Sequence, residues 1–87
     1  MHAVVVRVTI DEQDVAERAL REQVVPRVSQ APGFKAGYWT RKDDTGLSLL
    51  VFDSEEAATR ASEQIPAGVP EGVRLESVEV REVVASA

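Results

Sequence analysis

Residues 3 to 10, AVVVRVTI, are β-branched almost throughout and polar only at Arg7 and Thr9. Such a run predicts a strand buried on much of both faces. Asp11 follows as the expected helix N-cap, with Asp14 placed where the helix dipole favours a negative charge. Val15, Ala19, Leu20, Val24 and Val28 then fall near one helical stripe. Pro26 lies late in that stripe; lacking an amide donor, it predicts a kink or an end to the regular helix nearby. Ala31-Pro32-Gly33 breaks the pattern.

From residue 34 to 42 the chain alternates as a strand. A strict two-residue period places Phe34, Ala36, Tyr38 and Thr40 on one face, and Lys35, Gly37, Trp39 and Arg41 on the other. Asp43-Asp44-Thr45-Gly46 reads as a hairpin turn, and LSLLVFD, residues 47 to 53, as the next strand. Ser54 is the expected cap of a second helix with a packing face of Ala57, Ala58, Ala61 and Ile65. Residues 66 to 72 form a loop, and a last strand is expected over 73 to 84. Its apolar phase shifts from Val73 and Leu75 to Val78 and Val80, which predicts a bulge.

The order is βαββαβ, a ferredoxin-like α+β fold: a four-stranded antiparallel sheet with two helices on one face. The first and third strands should be central, since they are the apolar ones. The other two carry Lys35, Arg41, Lys42, Glu76, Glu79, Arg81 and Glu82, as exposed edges do. Right-handed crossovers put both helices on the same side and leave the other sheet face bare. Yet the central strands are apolar on both faces, with Val4, Val6 and Val8 opposite Val5, and Leu47, Leu49 and Val51 opposite Leu50 and Phe52. An uncovered apolar face predicts an interface, and a second copy in two-fold symmetry is its simplest cover. A homodimer, closed into a dimeric α+β barrel, is the expected state.

Composition narrows the rest. Eighty-seven residues make one domain, 1–87, and 44% hydrophobic with 29% charged residues is a globular balance. A net charge of -5 without a basic stripe argues against nucleic acid. The absence of cysteine excludes disulfides and thiolate chemistry. No basic leader opens the chain and no apolar run has the length of a membrane span, so a cytoplasmic location and no membrane partner are expected.

Pro32-Gly33-Phe34 opens the second strand, and the apolar third strand ends in Phe52-Asp53-Ser54-Glu55-Glu56-Ala57. On these residues and the element order the chain resembles the dimeric α+β barrel superfamily, closest to its antibiotic biosynthesis monooxygenase-like (ABM) branch. The resemblance covers nearly the whole chain and its motifs speak to fold more than to activity. It implies a homodimer that binds or oxygenates a small aromatic molecule without a cofactor. Haem-degrading relatives use an Asn on the first strand, a Trp closing the third and a His on the second helix. This chain has no Asn, ends its third strand in Phe52 and has no His on that helix, so haem degradation is not expected.

No catalytic residue is carried over from the resemblance. Tyr38, Arg41 and Phe52 are the candidate ligand-binding residues, with Tyr38 expected to line a cavity under the helices. Val5, Arg7 and Trp39 are the candidate dimer-interface residues. Trp39 is an amphipathic aromatic suited to a seam, though beside Lys35 and Arg41 it could also stack on a planar anion. Arg7, in a valine-rich central strand, is expected to pair with Glu76, Glu79 or Glu82, within the chain or across the dimer. His2 stands alone, and Asp43-Asp44 suits a turn tip, so no metal site is expected. Two functions stand: a ligand-binding or oxygenating α+β barrel, and a non-catalytic dimerisation or regulatory module with a filled core. A cavity of several hundred Å³ separates them.

Overall fold

The computed structural model describes residues 1–87. The β-branched run forms β1 (His2–Ile10), with Val4 and Val6 buried. After Asp11 and Glu12 come α1 (Gln13–Ala19), a π-helical turn (Leu20–Val24) and α2 (Val25–Ser29), which run on as one irregular helix. Then follow β2 (Phe34–Lys42), β3 (Thr45–Phe52), α3 (Glu55–Gln64), a 3₁₀ turn (Ile65–Gly68) and β4 (Val73–Glu82). The sheet order is β2-β3-β1-β4 with every pairing antiparallel, so β1 and β3 are the central strands. The chain is a ferredoxin-like α+β domain. None of its helices is long and apolar enough to cross a membrane.

Two local expectations for the first helix are corrected. Asp11 is not its cap: Glu12 holds that position without a side-chain bond. The Asp11 carboxylate instead accepts from Arg74 Nε at 2.9 Å and from Arg74 Nη2, tying the end of β1 to the start of β4 and raising the Arg74 pKa. Val15 is not on the inner stripe either, being 38% exposed, whereas Ala16 beside it is buried. The inner stripe is Ala16, Leu20, Val24 and Val28, each four residues from the last. In a regular α-helix that spacing drifts by about 40° per step, because a turn holds 3.6 residues. The π-turn, wider than an α-turn, takes back much of the drift. Its place just before Pro26 has a physical cause. Within a continuous helix the Pro26 ring would crowd the Glu22 carbonyl four residues back and offer it no N–H, and the wide turn opens room for the ring.

Ser54 caps α3 as expected, its Oγ accepting from the Ala57 N–H at 3.1 Å. Ala58 is fully buried, and α3 packs on β1, β3 and β4. The core is built from Val4, Val6, Leu50, Phe52 and Ala58, with Phe34 edge-on to Phe52 at 5.9 Å between ring centres. Gly33 turns the chain into β2 at φ +81°, and a Cβ there would lie 2.5 Å from Asp53 Oδ1. Only glycine meets both demands.

Both edge strands are bulged, and the bulges decide which side chain faces where. In β4 the register shifts so that Ser77 pairs with Arg7 and Leu75 with Val8, leaving Glu76 as the extra residue. Leu75 and Val78 thereby reach the helix side together, as the apolar phase shift predicts. In β2 the shift falls between Phe34 and Ala36, leaving Lys35 unpaired. Phe34 and Trp39 therefore share the helix side despite their odd spacing, and Tyr38 points to the bare face. The sidedness expected from strict alternation is reversed for this pair.

Candidate functional site

Between the irregular first helix and the sheet lies a cavity of about 400 Å³, within the range of small-molecule sites. Val6, Val8, Leu50 and Phe52 form its sheet-side floor, and Leu20, Val24 and Val28 its helical roof. The sequence explains why it stays open. Only 5% of residues are aromatic, and the roof offers short aliphatic side chains or Ala16 where a tight layer would need bulk. Gly46 and Ser48 on β3 are similarly small.

Trp39 is the one large amphipathic group in the wall. Its ring lies over Gly37, where a Cβ would come 2.9 Å from the indole Cη2, so the missing side chain at Gly37 seats the indole. The charged lining residues are Glu17, Arg21, Arg27 and Arg41. Arg41 Nε stands 3.6 Å from Glu17 Oε1, and its Nη1 donates to the Asp43 carbonyl at 3.5 Å. Both partners of this ion pair are half exposed, so it orients Arg41 more than it stabilises the fold. Thr40 Oγ1 donates to the Leu47 carbonyl at 2.6 Å.

Of the residues singled out from sequence, Arg41 and Phe52 line this cavity, joined by Trp39. Tyr38 does not; it is 63% exposed on the opposite face, opposite Leu49, which in turn pairs with Val5. Leu47 and Leu49 are 41% and 42% exposed there. Arg7 sits in the next row, between Leu47 and Ser77. No carboxylate of its own chain comes within ion-pairing distance of Arg7, which corrects the intrachain part of that expectation. Two of the three glutamates of β4 are engaged elsewhere: Glu76 accepts from Thr9 Oγ1 at 2.9 Å, and Glu79 pairs with Arg81. Glu82, at the end of the strand, pairs with His2 in the β1 register and not with Arg7. His2 Nε2 lies 3.3 Å from Glu55 Oε2, which ties β1 to the first turn of α3. Asp43 takes a left-handed φ of 55° at the hairpin tip, the turn role its position suggests.

Sequence reasoning passed over Glu17, Arg21 and Arg27. A signal existed: Arg21 follows Leu20 and Arg27 precedes Val28, so each arginine flanks a residue of the inner stripe. Such side chains bury their stems along an apolar wall and hold the charge at its edge.

No protein-family model matches the chain. No curated protein matches it either. Among solved structures, it is similar to a dimeric ferredoxin-like protein from an uncultured marine organism. That likeness has a TM-score of 0.63 at 13% identity and covers 100% of this chain and 98% of the other. Identity so low carries fold alone. The fold it carries is the one drawn from the residues: a four-stranded antiparallel sheet with its helices on one side.

Proposed function

We propose that this chain is a homodimeric α+β-barrel protein of the ABM-like kind that binds a small, largely apolar aromatic molecule in the cavity beneath its first helix. The observation that carries the reading is the cavity itself. About 400 Å³ stands open between sheet and helix, and sixteen of its twenty-six lining residues are hydrophobic. A module built only to dimerise would gain stability by filling that volume. The bare sheet face supports the dimer, because Tyr38, Leu47, Leu49 and Val5 form an apolar patch there. So does the marine protein, which is dimeric and matches end to end.

In this reading the two aromatic neighbours divide the work in the reverse of the order alternation suggests. Trp39, Arg41 and Phe52 serve the ligand, while Tyr38 joins Val5 and Arg7 in serving the second copy. Cofactor-free oxygenation of the bound ring is the chemistry the ABM resemblance adds, and no catalytic residue is assigned to it. Trp39 is the sole tryptophan and therefore reports occupancy directly. Titration with 2-naphthol should give a saturable change in its emission at micromolar ligand, and Tyr38→Phe should leave that curve in place. A linear, non-saturating response would contradict the reading.

A further inference from the structure

The cavity is an apolar chamber whose opening differs in sign from the rest of the chain. The chain carries -5 overall, yet the chamber is lined by three arginines against one glutamate. Glu17 neutralises Arg41. Arg21 and Arg27 have no carboxylate within 4.0 Å and no side-chain hydrogen bond. Both are exposed while lining the cavity, so they stand where it meets solvent.

Arg27 also lies beside a second element of the wall. A Cβ on Gly68 would come 2.5 Å from Arg27 Nη1, so the guanidinium lies against the bare backbone of the 3₁₀ turn. It thus reaches from α2 to the turn, and both elements line the chamber. The same helix supplies the apolar roof through Leu20, Val24 and Val28 and the basic rim through Arg21 and Arg27. The combination discriminates by ligand charge. A cation meets two uncompensated positive charges, and a neutral molecule leaves both unused. A guanidinium presents a planar fork that matches a carboxylate.

We propose that the ligand is an apolar carboxylic acid, bound with its ring among Val6, Leu50 and Trp39 and its carboxylate at Arg21 and Arg27. This rests on the ligand-cavity reading above and adds the charge of the molecule bound. Naphthalene-1-acetate and naphthalene-1-acetamide share a ring and differ in charge, so calorimetric titration of the intact protein with each isolates the rim. At about 0.02 M salt the acid should bind at least about tenfold more tightly than the amide, since charge-assisted hydrogen bonds to arginine are the stronger kind. At about 0.5 M salt, where exposed charges are screened, the gap should shrink several-fold. The double variant Arg21→Gln/Arg27→Gln should bring the two affinities to within about twofold, while Lys42→Gln, outside the chamber lining, should leave the gap open.

Equal affinities for acid and amide, or a gap that survives the double variant, would overturn the proposal and leave the cavity reading standing. Binding of neither compound would overturn both. Should the double variant melt too early to titrate, the salt response of the unaltered protein decides: a gap indifferent to salt contradicts the rim.

Discussion

Phe52 shows how one residue can hold a fold and bound a site at once. It is fully buried, meets Phe34 edge-on and forms part of the cavity floor. Phe52→Ala should cost about 3–5 kcal/mol, the usual loss for a buried phenylalanine. That is a large share of the 5–15 kcal/mol or so that typical domains possess. Urea denaturation should place the variant's midpoint far below that of the parent, and an unchanged midpoint would mean the core is organised differently. At this scale the sequence was partly readable. The cap at Ser54 and the alanine face of α3 follow from residue type alone. The side taken by Tyr38 and Trp39 did not. Both faces of β2 carry an aromatic, so no apolar asymmetry marks the phase, and Lys35 looks like any other exposed strand residue. In β4 the equivalent bulge was visible because the apolar positions themselves change phase.

The elements differ in how firmly they are held. α3 is capped, has Ala58 buried against the core and packs on three strands. Ser54→Ala removes the one side-chain bond to a backbone N–H of its first turn and should cost about 1 kcal/mol. A melting-temperature shift of a few degrees would accord with that, and no shift would mean that solvent satisfies the Ala57 amide equally well. The first helix is a different kind of element. It has no side-chain cap, passes through a π-turn and arches over the cavity, touching the core chiefly through Ala16 and Val28. Pro26 was legible as a source of irregularity. Its consequence was not, because a π-turn that keeps Ala16, Leu20, Val24 and Val28 in line depends on the sheet beneath them. Arg21 and Arg27 escaped notice for the same reason, since exposed helical arginines gain meaning only once a cavity is known to lie beside them.

At the scale of the whole molecule, the sheet is asked to serve two surfaces. Its helix side holds the core and the chamber; its other side presents Tyr38, Leu47, Leu49 and Val5, with Arg7 among them. This two-sided character was the clearest message of the sequence, because the valines of β1 and the leucines of β3 cannot all face one way. Arg7 is unpaired in its own chain, and in the proposed dimer it is the residue left to take a carboxylate from a second copy. The most direct measurement is sedimentation equilibrium at micromolar protein, on the parent and on Leu49→Asp. The account predicts a parent of twice 9.5 kDa. Its interface would bury well over the ~1,200 Å² floor of specific contacts, and Leu49→Asp should break it. A parent that sediments as a 9.5 kDa monomer would contradict the account, for the apolar face would then be bare in solution.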